Sequence, residues 1–204
     1  MFPYQSLNAG EHRLFLRLAS PSRIQDALNR TPFNYEKEGE TCRSPRRVIR
    51  DRVAHCLEGA LFAAAALWYH GRPPLLLDLK TTTDDDEHVV ALFRRGRYWG
   101  AISKTTHAVL RYRDPVYASV RELAMSYFHE YHLPSGKKTM RAFSEAFDLR
   151  YIQQQDWIVS EDDLWDISDA LDHSPHQKIL SRSMIAMLRR VEPIERKAAK
   201  IVQV

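Results

Sequence analysis

The chain is poor in cysteine: Cys42 and Cys56 are the only two in 204 residues. A secreted domain held by disulfides carries more, so both are read as free thiols in a reducing, cytoplasmic setting. No apolar run approaches the ~20 residues that a membrane-spanning helix needs, and no membrane partner is expected. The start, Met1 to Ser20, breaks its apolar residues with Glu11, His12, Arg13 and Arg17, which makes a poor signal peptide. There is no internal repeat and no low-complexity tract. Neither sign of charge dominates. With 30 basic and 26 acidic residues the net charge is +4, too small an excess to mark a nucleic-acid binder. The acidic run Asp84-Asp85-Asp86-Glu87 leading into His88 lacks the spacing of a calcium loop, and adjacent ligands on a strand or loop diverge. It reads as a solvated loop, and no metal or cofactor is expected.

What the chain does have is a composition of 44% hydrophobic and 27% charged residues, ordinary for a globular domain that buries its own core. The alternation of Leu14, Leu16 and Leu18 suggests a strand from Arg13 to Leu18. Ser20-Pro21 and Ser44-Pro45 each pair a capping hydroxyl with a proline at the first helical position. Thr31 to Thr41 reads as a loop. Leu57, Leu61, Ala64, Ala65 and Trp68 share a helical face in an alanine-rich helix packed on both sides and closed by Gly71. A strand is expected over Leu75 to Leu79. A hairpin follows, from His88 to Arg94 and from Tyr98 to Ser103, turning at Gly96. A further strand is expected from Ala108 to Tyr112, broken by Asp114-Pro115, then a helix from Val116 to Tyr131. Beyond Gly136 the pattern is mostly helical. Ser160 and Asp163 resemble a capping box ahead of a helix through Leu164, Ile167 and Leu171, Ser183 to Arg190 is expected to form another short amphipathic helix, and the basic ending from Ile194 to Val204 is expected to fray. The fold class is α+β: a central helix packed on a small antiparallel sheet, with additional C-terminal helices. Residues 1–150 form the α+β part, and 151–204 a helical extension packed on it.

The order of three chemical groups carries the functional reading. Cys56 sits where the alanine-rich helix opens, His88 heads a strand after the acidic loop, and Trp99 lies on the next strand. A helix start favours a thiolate through the helix dipole and unpaired backbone N–H groups. A histidine alongside can take the thiol proton and return it to a leaving group. No proline or glycine separates Pro45 from Gly59, so the residues alone also allow one long helix with Cys56 in its middle.

From Arg46 to Lys104 the chain resembles the core of the transglutaminase-like superfamily, in particular its bacterial cysteine proteins. The matching residues are His55-Cys56-Leu57-Glu58-Gly59-Ala60, Gly71, Leu75 to Leu79, Glu87-His88-Val89-Val90 and Trp99-Gly100-Ala101-Ile102-Ser103. The resemblance implies a papain/transglutaminase-like core, Cys56 as nucleophile and His88 as acid/base. The family's acidic third position falls on Ser103, which supplies no charge. Thr106 is a neutral candidate for orienting the imidazole, and Asp114 an acidic one beyond the expected place. Trp99, Thr106 and His55 are taken as binding residues, with His55 expected to point away from the thiol.

The expected activity is thiol-dependent acyl or amide chemistry, as hydrolase or acyltransferase, on a peptide, protein or small amide. The alternative is a non-catalytic peptide- or protein-binding module on the same fold. A weaker third reading places nucleic acid on the arginines of 43–52, 94–97 and 111–113. His129 and His132, three apart on the expected helix, read as a surface face rather than a zinc site.

Overall fold

The computed structural model describes residues 4–154 and 156–202. The first three residues and Val204, at the outer ends of the Met1–Ser20 and Ile194–Val204 stretches discussed above, lie outside the described residues, with Gln155 and Gln203. The molecule is mixed α/β, with eight α-helices and an antiparallel sheet among the described residues.

The first helices are fixed by their caps. Helix α1 (Ala9–Arg17) starts at a capping box: the Asn8 side chain accepts from the Glu11 N–H, and Glu11 accepts from the Asn8 N–H at 2.7 Å. The strand expected from Arg13 to Leu18 is therefore a helix. Phe15 and Leu18 turn inward while Leu16 is 60% exposed, which is helical rather than alternating spacing. Helices α2 (Pro21–Arg30) and α3 (Pro45–Asp51) begin as expected, on Ser20 and Ser44. Helix α3 stops because Arg52 turns left-handed at φ 56°. Helix α4 (Cys56–Tyr69) then opens afresh, so the long-helix alternative does not hold. Every residue from Leu57 to Leu67 is buried, as a helix apolar all round requires. Its end is a Schellman turn: Gly71 has φ +75°, its N–H reaches Trp68 O at 2.9 Å, and Arg72 N–H reaches Leu67 O at 3.0 Å.

The sheet contains β1 (Leu75–Lys80), β2 (His88–Arg95), β3 (Tyr98–Ser103), β4 (Arg113–Tyr117), β5 (Ala142–Ser144), β6 (Phe147–Asp148) and β7 (His176–Lys178), in the order β4-β3-β2-β1-β5-β7, with β6 also on β1. Leu76, Val89, Ala91, Phe93 and Ile102 pack in one core with α4. Leu77, Leu79, Val90, Leu92 and Ala101 pack in a second with Leu123, Tyr127 and Phe143. Burial on both faces explains the nearly unbroken apolar runs of β1 and β2.

Five expectations are corrected. The strand placed over Ala108 to Tyr112 lies instead at Arg113–Tyr117, with Asp114 and Pro115 inside it; proline is tolerated there because β4 is an edge strand. The helix from Val116 to Tyr131 is reduced to α5 (Val120–Met125), so His129 and His132 do not share a helix. The Ser160–Asp163 capping box is absent: α6 (Trp165–Asp172) starts from Leu164 without a side-chain cap, and Asp163 instead accepts from the Cys42 N–H and Arg47, both at 2.8 Å. The stretch after Gly136 is not mostly helical, since β5, β6 and β7 all join the sheet. Two short helices follow, α7 (Arg182–Ala186), which stops at Ala186 rather than at Arg190, and α8 (Pro193–Ala199); neither contains a buried residue.

Candidate functional site

Cys56 is the first residue of α4, and His55 is its N-cap. Capping is usually done by serine, threonine, asparagine or aspartate; here an imidazole does it, with Nδ1 accepting from the Leu57 N–H at 3.2 Å and Nε2 donating to Thr41 O at 2.8 Å. Glu58 completes the box. Its carboxylate is wholly buried and accepts from the His55 N–H (2.9 Å), the Thr41 hydroxyl (2.8 Å), the Arg43 N–H (3.0 Å) and the Arg43 guanidinium (3.2 Å). One side chain thus ties the 34–43 loop to the turn that presents the thiol. Among the described residues no protein group accepts the Cys56 N–H.

His88 reaches the same place from the head of β2. It is buried, and its Nε2 lies 2.8 Å from the Ser103 hydroxyl. That hydroxyl spends its one hydrogen on the Leu110 carbonyl, so it accepts from the imidazole. Nε2 then carries the proton, and Nδ1 is the free base. Ser103 is itself fixed through its backbone by Gln25, whose side-chain oxygen accepts the Ser103 N–H (2.9 Å) while its nitrogen donates to Ser103 O (2.8 Å). Leu110 is held at φ 59° with its N–H on Glu130 at 2.6 Å.

Burial opposes a charge on the Cys56 sulfur. The imidazoles of His55 and His88 beside it outweigh burial and draw the thiol pKa down to about 6. Burial likewise opposes a charge on His55, yet the Cys56 thiolate, the Glu58 carboxylate and the Thr41 carbonyl raise its pKa to about 9. The bond accepted from the Leu57 N–H belongs to the neutral ring. His55 therefore does not point away from the cysteine, as expected from sequence, but flanks it. Cys42 is the opposite case. It is fully buried, and burial and then Glu58 push its thiol up to about 12. The two free cysteines have been given opposite chemistry.

Cys56 and His88 line a cleft of about 610 Å³. Its walls include His55, Thr106, Lys104, Tyr131 and the acidic residues Asp85, Asp86 and Glu87. No model of a known protein family and no curated protein matches this chain. The site therefore rests on its own geometry.

Of the residues singled out in sequence, Cys56, His88, Ser103, His55 and Thr106 converge here. Trp99 does not: it lies about 13 Å along β3 from Ser103 by the strand rise, under the Arg94 guanidinium at 4.8 Å from the ring centroid. Asp114 lies on the edge strand β4 and is not part of the cleft wall. Glu58, Gln25 and Lys104 were missed as site-building residues. For Glu58 the signal was present as a spacing, three residues after a cap, but histidine hid the cap.

The acidic loop is anchored, with Asp84 on Lys137 at 2.9 Å and Asp85 on the Thr139 hydroxyl. Glu87 converges with Asp78 and Asp172. The cation among these carboxylates is Lys80, whose ammonium lies 2.5 Å from Glu87, 3.3 Å from Asp78 and against Asp172. Four of the five arginines of 43–52 are also spoken for: Arg43 pairs with Asp51 and Glu58, Arg46 with Glu11, Arg47 with Asp163 and Arg50 with Glu161. They tie helices together rather than offering free charge to phosphates.

Proposed function

We propose that the protein is a thiol enzyme of acyl or amide bonds, a hydrolase or acyltransferase, built on a papain/transglutaminase-like core. The observation that carries this reading is the placing of Cys56, with its pKa near 6, at the first turn of α4 between two imidazoles and on an open cleft. Near neutral pH the sulfur is then a thiolate. It attacks the carbonyl carbon, and the tetrahedral oxyanion is met by the unpartnered Cys56 N–H. His88 Nδ1, the free base of the resting ring, takes the proton that the thiol gives up and delivers it to the leaving group as the C–N or C–O bond breaks, leaving an acyl-thioester. Water or an amine, deprotonated by the same Nδ1, resolves the thioester. Ser103 fixes the tautomer and orientation of His88, which is half of what a triad acid does. The other half, stabilising the imidazolium by charge, it does not supply. The cleft suits a peptide, a protein segment or a small amide.

The test is the pH dependence of Cys56 alkylation by iodoacetamide. The wild type should show an inflection near pH 6, and His88→Ala should slow alkylation at pH 7 and move the inflection upward. An inflection in the ordinary thiol range, indifferent to His88, rejects the enzyme reading. The uncharged Ser103 favours a second reading, a non-catalytic peptide- or protein-binding module on the same core. That second outcome is what such a module would give.

A further inference from the structure

We propose that the hydroxyl of Tyr131 is a second donor to the substrate's carbonyl oxygen, acting beside the Cys56 N–H; this rests on the thiol-enzyme reading. Tyr131 is 4% exposed, and its hydroxyl has no hydrogen-bond partner among the described residues. A buried hydroxyl left unpaired is disfavoured relative to phenylalanine, so its retention points to an acceptor that arrives from outside. Tyr131 lines the cleft that holds Cys56 and His88. Burial first, and then a negative charge on Cys56, push its pKa well above the usual tyrosine range, so the phenol stays a donor. Two other buried side-chain polar atoms lack partners among the described residues. Thr82 Oγ1 is outside the cleft wall, and Arg196 already donates through Nη1 to Pro134 O at 3.0 Å from a half-buried side chain.

In the step concerned, the thiolate pair forms the C–S bond and the carbonyl π pair moves onto oxygen. That oxyanion accepts hydrogen bonds from Tyr131 and the Cys56 N–H without taking a proton. When the pair returns, the C–N or C–O bond breaks and an amine leaving group takes its proton from His88. The nucleophile itself owes nothing to Tyr131, which makes the role separable from thiol activation.

The experiment compares two reactions of Cys56 in wild type and Tyr131→Phe. Alkylation by iodoacetamide passes through no oxyanion; acetylation by p-nitrophenyl acetate, followed as a burst of p-nitrophenolate and corrected with Cys56→Ala, does. Tyr131→Phe should slow acetylation by about 10²-fold, the effect of losing one oxyanion donor, with alkylation unchanged and a melting temperature equal to or above that of the wild type. Unchanged acetylation overturns the assignment. Equal slowing of both reactions overturns it too, because Tyr131 would then act on the thiol. A wild type whose Cys56 alkylates rapidly but shows no acetylation burst overturns the Tyr131 assignment while leaving thiol activation standing. A wild type slow in both reactions removes the thiol-enzyme reading and this inference with it.

Discussion

Lys104 is 4% exposed in the wall of the cleft, with its ammonium donating to the carbonyls of Leu28, at 3.0 Å, and Thr31. Carbonyl dipoles compensate a buried charge less well than a carboxylate does. Burial, helped by the nearby Arg111, lowers its pKa to about 8. An unfolded lysine titrates near 10.4, so between roughly pH 8 and 10.4 the unfolded chain binds more protons, and stability rises with pH. Urea unfolding at a series of pH values should show the wild type gaining on Lys104→Met across that window; a constant difference would refute the assignment. At this scale the sequence was partly legible. Cys56 and His88 were named from their order in the chain, a cysteine at a helix start followed by a histidine at a strand head, together with the family resemblance that this order carries. Ser103 was named as a weak third member, but the reason it works as an orienter, the Leu110 carbonyl that takes its hydrogen, depends on a left-handed leucine that no sequence rule flags. Lys104, Gln25 and Tyr131 look like any other residues until the fold brings them to the cleft.

Helix α4 is the element on which the site depends, and Gly59 is its tightest point. A Cβ there would lie 2.4 Å from Lys104 Cβ and 2.9 Å from Lys104 Cγ, so only glycine lets the helix approach the end of β3. Gly59→Ala should destabilise the protein by about 1–3 kcal/mol, the usual cost of overpacking, and slow Cys56 alkylation as the helix start is pushed away from His88. Chemical denaturation and labelling kinetics read the two effects separately. The body of α4 was plain from its alanines and its terminal glycine. Its beginning was not, because the break is made by Arg52 in a conformation usually given to glycine and by a histidine doing the work of a serine. Helix α1 was misread because Leu14, Leu16 and Leu18 happen to alternate, while the deciding Asn8–Glu11 capping box lay just upstream. Strand β4 was displaced because proline argues against a strand unless the strand is at an edge, and edge position is a property of the assembled sheet.

At the scale of the whole molecule, the last quarter of the chain is woven into both cores. Trp157, Ile158, Leu164, Ile167 and Leu171 are buried in the core of α4, Ile179 is buried in the other, and β7 pairs with β5. A fragment ending at residue 150 should therefore fail to fold cooperatively. The full chain should unfold in one transition, the same by tryptophan fluorescence as by far-ultraviolet dichroism; two separated transitions would mean that residues 151–202 are a separable unit. These three-residue strands escape sequence reading because each is too short to show a period and gains its place from neighbours distant in the chain.

The two end strands of the sheet, β4 and β7, are poor templates. On one side β4 sets Arg113, Asp114 and Pro115 in a row of five residues; on the other, β7 is only His176-Gln177-Lys178, with Pro175 before it. Proline withholds a donor, charge resists close stacking, and three residues offer too little backbone for a stranger to pair with. The long apolar strands β1 and β2, which in isolation would invite cross-β stacking, are kept at the centre where no second molecule can reach them. Protection from aggregation here lies in which strands are placed outermost.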